Sequence, residues 1–184
     1  MRLAAWVAGL FFLASPAAAG CFTAEEPPAQ LHFRSGGTLD YLSITEDVLT
    51  YRGSGFTSQL LHGLWPLGSE SEGFTLRYTW AALPPSLAQI SAQGGKARIE
   101  GSRQTNSLPA EAVVSELEII AEEFLDWEDC RYKVLWLRKT LIIDGDVESK
   151  GEILFAPGVM IVFTTKVLDP ATGEWLTHQL ESLQ

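Results

Sequence analysis

The sequence predicts an all-β or mainly β domain: an antiparallel barrel, half-barrel or sandwich that ends in a four-stranded meander. Apolar and polar residues alternate with period two through much of the chain. Turn-forming Gly, Pro, Asp and Ser recur at short spacing between the alternating runs, as they do where neighbouring strands are joined by hairpins.

Residues 39–44, 48–51 and 58–64 read as short strands separated by Gly, Ser and Asp. Phe74–Trp80 puts Phe74, Leu76, Tyr78 and Trp80 on one face and Thr75, Arg77 and Thr79 on the other, the pattern of a half-buried strand. Residues 84–110 are rich in Pro, Gly, Ser and Gln and read as a long surface loop, with a short strand at 97–100. Residues 109–125 fit two patterns. Val113, Leu117, Ile120 and Phe124 have helical spacing behind Pro109, while a strand through 117–120 leads equally into the next run and is slightly favoured. Cys130–Ile143 sets Tyr132, Val134 and Trp136 against Arg131 and Lys133. Asp144-Gly145 is a hairpin turn, because glycine takes positive φ without a Cβ clash. Residues 152–155 and 159–168 are joined by Pro157-Gly158, and residues 169–173 lead into a last strand at 175–183. Trp80 and Trp136 fall on apolar strand faces and are expected in the core.

The N-terminus carries an export signature. Met1-Arg2 precedes an apolar run from Leu3 to Ala14, then Ser15-Pro16 and the small residues Ala17-Ala18-Ala19-Gly20. Residues 1–19 are expected to leave as a signal peptide. Residues 20–184 then form one domain, periplasmic or secreted, with no later segment long and apolar enough to span a bilayer. The formal charge of −10, one unit more negative once Arg2 is gone, disfavours nucleic-acid backbones and anionic lipid surfaces as partners. In an oxidising compartment the two cysteines of the chain, Cys21 and Cys130, are expected to pair. The alternative is cleavage after Gly20, with Cys21 as the acceptor of a lipid anchor: Ala18-Ala19-Gly20-Cys21 resembles a lipobox with Ala at its first position.

Two resemblances bear on function. His62-Gly63-Leu64-Trp65-Pro66 is similar to the first catalytic box of a family of secreted acid ribonucleases, and Glu174-Trp175-Leu176-Thr177-His178-Gln179 echoes the second. This resemblance implies His62, Glu174 and His178 as a catalytic set, with the histidines exchanging protons across a cyclising phosphate. Thr177 stands where that family has Lys, and Gln179 where it has Gly. The bland alternative makes residues 60–65 an apolar strand and His178 a structural histidine. Separately, Cys130-x-Tyr132-x-Val134, a Gly-containing hairpin, then Glu152 to Gly158 and a long apolar strand resemble exported bacterial proteins of unknown function. Periplasmic half-barrels that hold lipoproteins share this strand–turn–strand logic as a fold analogy.

Other chemistry is thin. Glu122, Glu123, Asp126, Glu128 and Asp129 lack the spacing of a calcium loop and read as a solvated acidic turn. His32, His62 and His178 show no ligand spacing, so neither a metal nor a cofactor is expected. The favoured expectation is a non-enzymatic envelope protein that binds a partner protein or an apolar ligand, ahead of the ribonuclease and of a scaffold anchored through Cys21.

Overall fold

Each of twelve strands pairs antiparallel with the next, and the first pairs with the last, closing a barrel. The computed structural model describes residues 21–169 and 172–184, so the signal peptide expected at residues 1–19 and the Pro170-Ala171 pair of the last connection lie outside the described residues. In chain order the elements are β1 (Gln30–Phe33), β2 (Thr38–Thr45), β3 (Val48–Gly53), β4 (Phe56–Leu61), β5 (Trp65–Ser71) and β6 (Phe74–Trp80). The helix α1 (Leu87–Ala92) follows, then β7 (Lys96–Thr105), β8 (Glu111–Trp127), β9 (Cys130–Ile143), β10 (Asp146–Ala156), β11 (Ile161–Leu168) and β12 (Trp175–Leu183). The meander expected at the C-terminal end is β9 to β12, and its Asp144-Gly145 turn has φ of 48° and 95°, both in the left-handed region.

Several sequence expectations need correction. The run 58–64 is not one strand. It breaks at His62-Gly63, with φ of 54° and 70°, and the Leu64 N–H closes a turn onto the Leu61 carbonyl. Residues 84–110 are not a loop. They hold α1, started by a reciprocal capping box between Ser86 and Gln89, and the ten-residue strand β7. Ile90 on α1 is fully buried, which fixes the helix to the barrel. Residues 109–125 belong to β8, so the favoured strand reading holds and is longer than expected. Val113 and Leu117 suit both patterns because positions four apart also share a strand face, whereas Ile120 and Phe124 are exposed and a bulge falls between Ile119 and Ala121. Trp80 and Trp136 are half-buried rather than core residues: Trp80 belongs to neither buried apolar cluster, and Trp136 packs against the edge of one. The Trp136 indole N–H donates to a Glu123 carboxylate oxygen at 2.8 Å and the Lys166 ammonium lies 5.0 Å from its ring centroid. Among the described residues the fully buried tryptophan is Trp65.

Two apolar clusters hold the fold. One gathers Trp65, Ile90, Leu117, Leu135, Leu137 and Phe155; the other gathers Tyr132, Val134, Ala156, Ile161, Phe163 and Leu180. Leu154, Phe155 and Ala156 are consecutive and all buried. Adjacent strand residues point to opposite faces, so the end of β10 is covered on both sides. The second cover is an arm. β7 pairs with β8 only as far as Glu118, and β10 pairs with β9 only as far as Leu135, leaving residues 120–134 as a two-stranded extension. Leu125, Trp127, Cys130, Tyr132 and Val134 of this arm belong to the second cluster or pack against it. A disulfide joins Cys130 near the arm tip to Cys21.

Candidate apolar binding site

Alternation in β2 and β3 places Leu39 and Tyr41, Leu49 and Tyr51 along one wall, with Tyr41 directly opposite Tyr51 in register. Val162 and Thr165 of β11 form the facing wall. The space between is a narrow inner chamber of about 160 Å³ that ends against Leu60, Gly63 and Met160. A wider apolar groove of about 370 Å³ lies outside it, bordered by the β1–β2 and β3–β4 turns and by His178 of β12. Phe33, Leu39 and Thr165 line both spaces and form the waist between them. Two glycines make this shape possible. At Gly53 a Cβ would collide with the ring of Phe56, which borders the groove; at Gly63 it would lie 3.0 Å from the Phe155 ring and 3.1 Å from Met160.

The chamber is apolar because its polar groups are satisfied or neutral. The Tyr41 hydroxyl donates to the Met160 carbonyl at 2.7 Å. Burial raises the Tyr41 pKa, and the neighbouring Tyr51 raises it further. Burial also raises that of Tyr51, partly offset by a hydrogen bond with Ser58. Both phenols therefore stay uncharged at neutral pH. Polar groups collect instead at the mouth, where Ser35, Thr38, Ser54 and His178 lie and a His178 ring nitrogen is 3.5 Å from the Ser35 hydroxyl.

A larger depression of about 450 Å³ runs between charged side chains on β7, β8 and β9. Its charges are already matched: Arg98 pairs with Glu116, Lys96 with Glu118 at 2.9 Å, and Arg138 with Glu118 and Glu152 at 3.2 and 2.9 Å. A ligand there would have to displace these partners, so the apolar groove is the better candidate.

The ribonuclease set is not assembled. His62 sits beside the β2–β3 turn, its Nδ1 3.8 Å from an Asp47 carboxylate oxygen and its N–H bonded to the Asp47 carbonyl. His178 sits beside the β1–β2 turn, at the other end of β2. Eight residues of β2 separate the two turns, about 25 Å of extended chain, far beyond the span of one phosphate. Glu174 is exposed, its N–H donating to the Thr172 hydroxyl.

His62 to Pro66 serves packing instead. The Leu64 carbonyl accepts from the Lys139 ammonium, the Trp65 indole donates to the Pro85 carbonyl at 2.9 Å, and the Pro66 carbonyl accepts from Trp80 at 3.0 Å. The acidic cluster lies on the arm, where Glu122 pairs with Lys133 at 2.9 Å and Asp126 with Arg131 at 3.7 Å. Among the described residues no group of three or more His, Cys, Asp and Glu could hold a metal ion.

Desolvation of Lys139 should show in the pH dependence of stability. The residue keeps partial exposure, but its ammonium turns in toward the Leu64 carbonyl and desolvation lowers its pKa to about 8. An unfolded lysine titrates near 10.4. Between those values the unfolded chain binds more protons, so stability should rise with pH from about 8 to about 10.5, by about 2 kcal/mol allowing for the partial exposure. Lys139→Met should flatten that rise. Urea midpoints of both proteins at pH 7 and pH 10 provide the measurement; parallel shifts would show that the ammonium is as solvated when folded as when unfolded.

No family model matches the chain, and no curated protein matches it. Among solved structures it is similar to the hypothetical lipoprotein YmcC from Escherichia coli K12, with a TM-score of 0.52 at 10% sequence identity, over 86% of this chain and 89% of that one. The likeness is one of β architecture across nearly the whole of both chains.

Proposed function

We propose that this chain is an exported envelope protein that holds an apolar ligand in the groove beside His178 and carries out no chemistry on it. The observation that carries the reading is a groove that continues past a waist into a buried apolar chamber. Such shapes, mostly apolar with a few polar groups at one end, are what small-molecule sites look like. The leader sequence, the Cys21–Cys130 disulfide and the likeness to a hypothetical lipoprotein support a place in the cell envelope. The resemblance to exported bacterial proteins of unknown function agrees with this. A lipid anchor at Cys21 is the competing arrangement, and it requires the same sulfur that bonds Cys130.

Binding of the uncharged fluorophore N-phenyl-1-naphthylamine to the protein without its leader tests the reading. Saturable binding at one site is expected, weakened at least tenfold by Thr165→Trp, which fills the waist. Absence of saturable binding, or equal binding by a folded Thr165→Trp variant, would remove the ligand-holding role and leave a protein partner as the alternative.

A further inference from the structure

We infer that the ligand is a single-chain amphiphile, with an aliphatic tail in the inner chamber and a hydrogen-bonding, uncharged or anionic head group at the mouth. This rests on the groove being a ligand site, and it specifies what that site selects. The chamber is small. Beyond the waist it is lined by aliphatic side chains, Gly63, Met160 and two phenols whose hydroxyls already have partners, so it offers little to a polar substituent. A bulky polycyclic ligand would exceed the roughly 160 Å³ of the chamber and stay in the outer groove, while an extended alkyl chain can pass the waist. From Gly53 at the mouth to Leu49 the groove follows four residues of β3, about 13 Å. A chain of about ten carbons, with bonds near 1.5 Å, spans that depth.

The mouth defines the other end. The lining there includes the hydroxyls of Ser35, Thr38, Ser54 and Thr165 and the imidazole of His178, and it contains no Asp or Glu, although the chain carries 23 of them against 13 basic residues. A carboxylate or hydroxyl head meets donors and no repulsion in that setting, whereas an ammonium head finds no counter-charge. A peptide is a poorer fit. Every strand that borders the groove, β1 to β4 and β11 and β12, is paired on both sides, so no open edge is left for an added strand.

The composition provides a direct probe. The chain has two methionines, Met1 and Met160, so removal of the leader leaves Met160, at the inner end of the chamber, as the sole methionine. With the methionine methyl labelled with ¹³C, decanoate is expected to shift the single NMR signal, while hexanoate, too short to reach it, leaves it in place. In competition against N-phenyl-1-naphthylamine, affinity should rise about fourfold per methylene up to about ten carbons and then level off. Decanol should compete within a few-fold of decanoate, and decylammonium at least tenfold more weakly. Val162→Trp should shorten the preferred chain. A flat chain-length profile, an unmoved Met160 signal with decanoate bound, or preference for decylammonium would overturn the inference while fluorophore binding leaves the ligand-holding role intact. Loss of fluorophore binding as well would overturn both.

Discussion

Phe163→Ala should destabilise the protein by about 3–5 kcal/mol, one of the two largest effects expected of a change outside the groove's inner chamber. Phe163 is 1% exposed and sits where the arm meets the barrel, its ring centroid 5.2 Å from that of Trp127 and 5.5 Å from that of Tyr132. Truncation removes the transfer free energy of the ring and both aromatic contacts. It also leaves a cavity that the surrounding strands, tied by backbone pairing, cannot close. Lys166→Ala, three residues further on, is the control. The Lys166 side chain is on the opposite face of β11, with its ammonium over the exposed side of Trp136, and its loss should amount to about 0.5 kcal/mol. Urea unfolding of both variants with unchanged m-values gives the comparison. Equal losses would mean that the register of β11 against β10 is wrong.

That pair of residues also shows what the sequence could and could not reveal. Alternation through Val159, Ile161 and Phe163 marked the buried face of β11 because strand periodicity is a local property. The hairpin turn at Asp144-Gly145 was equally legible, since positive φ favours few residue types. The arm was not. The helical spacing of Val113, Leu117, Ile120 and Phe124 along β8, which runs out into the arm, arises because a bulge and an exposed outer face interrupt the strand period, and only pairing with β9 decides the matter. Helix α1, and β7 beyond the strand read at 97–100, were hidden by their Gly, Ser and Gln content, although Ser86 and Gln89 already had the spacing of a capping box. The sequence pointed to an apolar ligand but to no place for it. Phe33, Tyr41 and Thr165 come from three strands that barrel closure brings together, and nothing local marks them as one site. The His62 box misled for a physical reason: Gly63, Trp65 and Pro66 are also what a tight turn entering a buried strand needs.

Loss of the Cys21–Cys130 disulfide is expected to cost about 2–4 kcal/mol, and its site of action should be the arm. The bond spans 109 residues, and chain entropy alone puts such a closure near 4–5 kcal/mol. The observed loss should fall short of that because the folded state also gains freedom when the bond opens. Residues 21–27 precede the first strand and are tied down by little else than Phe22 against the second cluster and a turn from Thr23 to Glu26. Once Cys21 is released this segment can fray, while Pro28, which is fully buried, marks where the barrel takes hold. The untethered arm then keeps Tyr132 and Trp127 against Phe163 by packing alone. Chemical unfolding of a Cys21→Ser/Cys130→Ser variant beside the parent protein measures the loss, and hydrogen exchange should show residues 120–134 losing protection before the barrel strands do. The native protein should react with no alkylating agent until it is unfolded and reduced. Modification of Cys130 without reductant, or a lipid adduct on Cys21, would sink the pairing, and the arm would then have to be held in place by its apolar contacts from the start.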